Sequence, residues 1–256
     1  MKINSSIKLA FFVFLSFLGS EALCNTISDG SPRKMLSFNT DWEFRKDSLM
    51  HTTDSWEKVS VPHTWNNVDM QTQRNSFYAG KATYKKKFTI SEEFRNKRVF
   101  IRFGGVASVA DVLVNNKFIG NHAGGYSAFV FEITNYINFG KDNEIIVKVD
   151  NSSRPDVIPV NHRLFGVYGG IYRPVQIIIT NYINICLTDY ASPGVYLTQN
   201  NVTNKSADLK VKIKIDRRNT VPDTIQLKTL IYSKEGQLKY TEKSNVILSV
   251  QGRKIV

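Results

Sequence analysis

Phe103-Gly104-Gly105-Val106-Ala107-Ser108-Val109-Ala110-Asp111-Val112-Leu113-Val114-Asn115-Asn116-Lys117 opens the stretch that decides the fold. It runs on through His122-Ala123-Gly124-Gly125-Tyr126-Ser127 and ends at Tyr168-Gly169-Gly170-Ile171-Tyr172-Arg173-Pro174-Val175. Apolar residues alternate with polar ones along it, the period of a half-buried strand. Asn115-Asn116 separates two such runs, and Asn tolerates the positive φ of a tight turn, so a two-residue β-hairpin is predicted there. Gly104-Gly105 and Gly169-Gly170 fall beside strand ends, where a side chain would clash with a neighbouring segment.

The same period extends outward. Tyr84–Ile90 and Arg98–Phe103 read as strands joined by a polar turn over 91–97, followed by Phe129–Ile133, Glu144–Asp150 and Ile171–Thr180. No helical period is convincing before residue 180, and evenly spaced short strands with Gly and Asn turns argue for a sandwich or barrel. Asn181–Ile185 is read as the end of this domain, and Pro193-Gly194 opens a second region. There Ala207–Asp216, Thr224–Tyr232, Gln237–Thr241 and Asn245–Val250 are the predicted strands, with a turn at Lys234-Glu235-Gly236. They suit an immunoglobulin-like sandwich, but that fold usually takes ~100 residues. The expected organisation is an export signal at 1–22, a jelly-roll sandwich at 35–185, and an immunoglobulin-like domain at 192–256 that is cut short.

The signal rests on Lys2 and Lys8 before the apolar run Leu9–Leu18, with Ser20 and Ala22 as the small residues of a cleavage site. The run is shorter than the ~20 residues that span a bilayer. The protein is therefore expected outside the cytoplasm, periplasmic or extracellular, with lipid anchoring at Cys24 a minor option and no membrane span. Of 34 Lys and Arg and 22 Asp and Glu, residues 1–22 hold two Lys and one Glu, so the remainder stays strongly basic. The cations are nonetheless dispersed. Lys85-Lys86-Lys87 is the one tight run, and Lys210, Lys212 and Lys214 alternate with Leu209, Val211, Ile213 and Ile215, which reads as a solvated strand face. No nucleic-acid motif accompanies them. Two cysteines and the scattered His51, His63, His122 and His162 offer neither a disulfide framework nor a metal spacing, so no metal or cofactor is expected.

In order along the chain, several elements resemble the N-terminal sugar-binding domain of family 2 glycoside hydrolases, the β-galactosidase and β-glucuronidase group. Trp42-Glu43-Phe44 resembles its opening strand, and Val61-Pro62-His63-Thr64-Trp65 the element that follows Trp56. Tyr78-Ala79-Gly80 with Tyr84 and Phe88, Phe103–Val106, and Val112–Lys117 with Gly120 continue the pattern, Asn116 replacing the usual Gly. His122, Gly124, Gly125, Tyr126, Phe129, Asp150-Asn151 and Gly169–Arg173 complete it over residues 38–180, and the stretch after Pro193 is similar to the family's immunoglobulin-like domain. Trp42, Trp56 and Trp65 are assigned to the inter-sheet core rather than to a sugar-stacking platform.

The resemblance implies a carbohydrate-processing enzyme whose two catalytic carboxylates stand about 5 Å apart. In the family they come from a TIM barrel of about 250 residues placed after the sandwiches. This chain has no room for it, so no catalytic residue is assigned, and that barrel is an expected partner alongside a glycan or β-galactoside. Asn143-Glu144 mimics the family's acid/base dipeptide but falls where a surface turn is predicted. The family's loop before Gly169-Gly170 reaches substrate, often with an Asp whose position here is Leu164; an Asn found after Phe-Gly-Val aligns with Ala107. Asn161, His162 and Arg163 are the candidate substrate contacts, since Asn and Arg hydrogen-bond sugar hydroxyls or carboxylates. The leading expectation is the non-catalytic N-terminal region of an exported glycosidase, with a stand-alone carbohydrate-binding or lectin-like protein as the alternative. Asn151-Ser152-Ser153 and Asn201-Val202-Thr203 are glycosylation sequons.

Overall fold

The computed structural model describes residues 2–3, 33–47, 55–68, 77–160, 166–218, 223–248 and 254–255. The expected signal and Cys24 thus lie outside the described residues, apart from Lys2–Ile3. Two compact units divide the chain, Thr26–Asn181 and a second comprising Met1–Asn25 with Tyr182–Val256. Both are built from antiparallel strands, which makes the protein all-β.

The first unit is a jelly-roll β-sandwich, with ten strands among the described residues. These are β1 (Lys34–Ser37), β2 (Trp42–Lys46), β3 (Glu57–Val59), β4 (Lys81–Thr89), β5 (Arg98–Phe103), β6 (Val109–Val114), β7 (Lys117–Ala123), β8 (Phe129–Glu132), β9 (Asp142–Asp150) and β10 (Val175–Thr180). One sheet has the order β3-β2-β4-β9-β6-β7 and the other β1-β10-β5-β8. Alternation along each strand delivers one face to the interior. Trp42, Phe44, Tyr84, Val112, Ile145 and Val147 from the first sheet meet Val99, Ile101, Phe103, Phe129 and Ile177 from the second. Phe103 and Phe129 stack at 4.8 Å, and Phe38 packs edge-on against both Trp42 and Phe88.

Strand alternation also splits the basic run. Lys85 turns outward to Glu43 at 2.9 Å, whereas Lys86 lies over the Phe38 ring and donates to the Thr40 carbonyl. Burial lowers the pKa of Lys86. Trp56, assigned to the core from its type, is instead half-buried outside it. Its ring carries the Lys85 ammonium at 3.9 Å and the Arg45 guanidinium at 4.8 Å. It precedes β3, whose register sets Glu57 opposite Phe44, and cation–π attraction holds it on the charged outer face.

The Asn143-Glu144 pair lies in β9 rather than in a turn, because the strand starts at Asp142. Glu144 pairs with Lys87 across the sheet. Asn143 is buried, accepts from Asn115 Nδ2 at 2.7 Å and from the Asn138 N–H at 2.7 Å, and donates to two carbonyls. It ties the β6–β7 hairpin to the β8–β9 connection, a structural role.

In the second unit β11 (Ile183–Ile185), β12 (Val195–Asn200) and β16 (Lys254–Ile255) pair with β13 (Ala207–Arg217), as does Lys2–Ile3. A hairpin of β14 (Asp223–Tyr232) and β15 (Leu238–Leu248) forms the other sheet. Ile213, Ile215, Val246 and Leu248 make the core between them. Ile183–Ile185, read as the end of the first sandwich, registers against Ile215–Arg217 of this unit. Gln237–Thr241 and Asn245–Val250, read as two strands, are one: Glu242-Lys243-Ser244 stays in register with Thr229-Lys228-Leu227. Three polar residues do not end a strand whose ladder bonds remain intact. Lys210 and Lys212 are exposed as expected, while Lys214 is drawn to the buried Asp189 at 2.7 Å.

The predicted hairpin turn is present, with Asn115 at φ 49° and Asn116 at φ 63° and Val114 opposite Lys117. A β-branched residue would pay the left-handed penalty of about 1–2 kcal/mol there. Asn116→Val should therefore lower unfolding free energy by roughly that amount. Asn116→Gly should not lower it, as urea denaturation will show.

Candidate functional site

The glycine pairs and the aromatic residues of the motif meet at one end of the first sandwich. Gly169 runs against the Trp65 indole so closely that a Cβ would lie 1.9 Å from Cζ2. Gly170 has φ +135°, and its Cβ would lie 2.4 Å from the His63 carbonyl oxygen. The segment is laced in by backbone bonds: His63 N–H donates to the Ile171 carbonyl at 2.8 Å, Ala107 N–H to that of Gly170 at 3.1 Å, and Trp65 N–H to that of Gly169 at 3.3 Å. Thr64 Oγ1 adds a bond to the Gly169 carbonyl at 2.8 Å.

Beneath this crossing lie two buried amides. Asn66 Oδ1 accepts from the Gly169 N–H at 2.8 Å and from Asn151 Nδ2 at 3.3 Å. Asn151 Oδ1 accepts from the Gly80 N–H at 2.8 Å, and its Nδ2 donates to the Val167 carbonyl at 2.7 Å. The Tyr78 carbonyl receives Asn66 Nδ2 at 2.9 Å and Trp65 Nε1 at 3.3 Å. Buried polar groups are costly unless bonded, and these amides are bonded at both ends. The first sequon is thus closed in the folded chain, since Asn151 is 0% exposed, whereas Asn201 is exposed and donates to Asp208 at 2.7 Å.

Above the crossing opens a cleft of about 340 Å³ lined by Thr64, Ala107, Tyr126, Gly166, Val167, Tyr168 and Tyr172. None of these carries a charge. Tyr126 and Tyr168 are exposed, and Tyr168 meets Phe77 edge-on. The Tyr126 loop is held from both sides. Tyr172 Oη donates to the Gly125 carbonyl, and His122 Nε2 lies 3.1 Å from the Gly124 carbonyl oxygen and 3.2 Å from Ser127 Oγ. His122 stacks on Phe129 with centroids 4.2 Å apart. Rigid aromatic faces with sparse hydroxyls match a sugar ring, which is apolar on its C–H faces and polar at its rim.

Tyr126, Tyr168, Tyr172 and Ala107 come together from the motif block at this cleft, although none of them was a predicted substrate contact. Asn161, His162 and Arg163, together with Leu164 and Phe165, lie outside the described residues; the cleft-lining Gly166 and Val167 come next in the sequence. Sequence reasoning missed the Asn66–Asn151 pair. Its signal was two Asn immediately after strand-flanking motif residues, Trp65 and Asp150, and that pattern is common in ordinary turns. Among the described residues no group of three or more His, Cys, Asp or Glu could hold a metal ion. No helix there is long and apolar enough to cross a membrane.

Burial lowers the pKa of His63, whose Nδ1 lies 2.7 Å from Tyr84 Oη, and likewise that of His122. Burial thus favours the neutral ring of each in the folded chain, while the unfolded chain takes up protons from about pH 6.5 downward. Stability is therefore complete above that pH and falls as pH drops below it. The urea midpoint should decline between pH 7.5 and 5.5, and His63→Gln with His122→Gln should flatten the slope. Gly169→Ala should cost about 3 kcal/mol by overpacking Trp65, read from the same denaturation curve.

Comparison with known proteins places this geometry. The profile of "Glycosyl hydrolases family 2, sugar binding domain" matches residues 35–181. A β-glucuronidase of Bacteroides fragilis is 36% identical over 225 residues, covering 87% of this chain and 30% of the relative. A β-galactosidase of Thermoanaerobacter pseudethanolicus is 36% identical over 134 residues, covering 50% of this chain and 18% of the relative. Among solved structures, one from Bacteroides fragilis superposes with TM-score 0.84 at 48% identity, covering 88% of this chain and 35% of the other. The β-glucuronidase of Bacteroides uniformis gives 0.80 at 27% identity, covering 88% and 27%. The chain spans less than a third of the length of these curated relatives and matches their N-terminal region. With a sugar-binding-domain match over most of the first sandwich and beyond half of the whole sequence, the chain belongs to glycosyl hydrolase family 2.

Proposed function

We propose that this chain forms the sugar-side, non-catalytic part of a family 2 β-glycosidase that hydrolyses O-glycosidic bonds. The cleft of Tyr126, Tyr168, Tyr172 and Thr64 receives part of the glycan. The observation that carries the proposal is a tyrosine-lined cleft, without charged residues among its described lining, inside the domain that matches the family's sugar-binding profile. The carboxylate pair of a retaining glycosidase, about 5 Å apart, belongs on this reading to a catalytic barrel outside the chain. The cleft then holds the substrate's flank, with Asn161, His162 and Arg163 completing the contacts from the loop before Gly166. Relatives named β-galactosidase and β-glucuronidase support a β-glycoside as substrate class. Export is part of the same proposal: the apolar run behind Lys2 and Lys8 reads as a secretion signal, and a periplasmic or extracellular enzyme would meet glycans before uptake.

The test is direct. Purified 256-residue chain should release no nitrophenol from nitrophenyl β-galactoside or β-glucuronide, yet bind a methyl β-glycoside in calorimetric titration. Tyr168→Ala should weaken that binding about five- to tenfold, the loss of one aromatic contact. Turnover by the chain alone, or binding indifferent to Tyr168, would overturn the proposal.

A further inference from the structure

We infer that Asn66 and Asn151 are positioning residues for the sugar cleft: the buried amide pair sets the height and tilt of the Gly166–Gly170 segment that forms one wall. The inference rests on the cleft's proposed role as the glycan site and adds to it the two residues that hold its wall in place without touching a ligand.

Four chain segments meet at this pair. Asn66 follows Thr64 and Trp65 and bonds Gly169 N–H, and Asn151 follows β9 and bonds the Val167 carbonyl and Gly80 N–H. Val167 and Thr64 line the cleft themselves, and Tyr168 sits between the two bonded positions Val167 and Gly169. Its backbone is therefore fixed on both sides by amides that are both 0% exposed. An amide carries a donor and an acceptor on one planar group, so it can bond an N–H on one segment and a C=O on another simultaneously. A hydroxyl offers one donor and is shorter, and a carboxylate offers none. Asparagine is thus demanded by the bonding pattern and not by volume. Ala107–Gly170 is the wall's isolated β-bridge and Trp65 N–H and Thr64 Oγ1 hold the Gly169 carbonyl, while the amides hold the Val167 carbonyl and the Gly169 N–H.

The test compares isosteric variants with a matched control. In Asn151→Asp an oxygen replaces Nδ2 and faces the Val167 carbonyl; in Asn66→Asp an oxygen faces the Tyr78 carbonyl. Asn143→Asp disturbs another buried amide, one that bonds Asn115 and Asn138 instead. Methyl β-galactoside and methyl β-glucuronide are titrated into each full chain, with thermal midpoints measured alongside. Asn66→Asp and Asn151→Asp should raise Kd about tenfold or more, as loss of a buried bond does. Asn143→Asp should change Kd less than twofold at a similar loss of midpoint. Where an aspartate variant does not fold, Asn66→Ser and Asn151→Ser remove the amide without adding charge.

Unchanged Kd in the Asn66 and Asn151 variants, with midpoints lowered as in Asn143→Asp, would overturn the inference and leave the pair merely stabilising. Absence of binding by the unsubstituted chain removes the proposed function instead. The positioning role is then read without ligand, from 19F resonances of 3-fluorotyrosine-labelled chain. Those of Tyr168 and Tyr172 should shift in Asn151→Asp and not in Asn143→Asp; no selective shift would overturn it.

Discussion

Gly169 passes the Trp65 indole at a distance that leaves no room for a Cβ, and Gly170 beside it adopts a backbone conformation that L side chains rarely take. Everything at the cleft end of the first sandwich follows from that close passage. Because the backbone can lie flat against the indole, its N–H and C=O groups reach Asn66, Thr64, Trp65 and Ala107. Because they reach, the loop is tied at both flanks of Tyr168. A single methyl group would push the segment away from Trp65 and break the bonds together, since packed interiors transmit displacement rather than absorb it.

The two ends of this sandwich use the same residue type for different ends. Asn143 closes the hairpin end, joining Asn115 to the Asn138 loop, and Asn66 and Asn151 close the cleft end. In each case a buried amide stands in for a missing strand neighbour, bonding donors and acceptors that the sheets leave unpaired. The broad faces of the six-stranded sheet do other work. One is apolar core, and the other carries Glu43, Arg45, Lys85 and Trp56 in a charged mosaic. The strong positive balance of the sequence is thus spread over solvated faces, and the cleft, without charged residues among its described lining, stands apart from it.

Much of the fold was legible from residue order alone. Period-two alternation located the principal strands of the first sandwich. The Asn115-Asn116 turn could be read because few residues accept positive φ. The glycine pairs could be read as strand-end positions where a side chain would clash, since glycine alone admits both close approach and free positive φ. Trp56 could not be placed, because an indole satisfies a core and a cationic surface equally well. Its partners Lys85 and Arg45 come from other strands. Ile183–Ile185 could not be assigned to a unit either: its apolar pattern suits any sheet, and only pairing with Ile215–Arg217 decides which one. Asn143, read with Glu144 as part of a surface turn, is instead buried in a strand, which only its distant partners Asn115 and Asn138 decide.

By itself, then, the sequence determined the strand class, the tight turn, the glycine pairs beside strand ends and the family, since each depends on residues near in the chain or on an ordered set of motifs. Tertiary structure alone decided which asparagines are buried, which tryptophan faces outward and which tyrosines line one cleft. Those facts depend on contacts between residues as far apart as Asn66 and Asn151, or Trp65 and Gly169, and no local pattern encodes a partner 85 or 104 positions away.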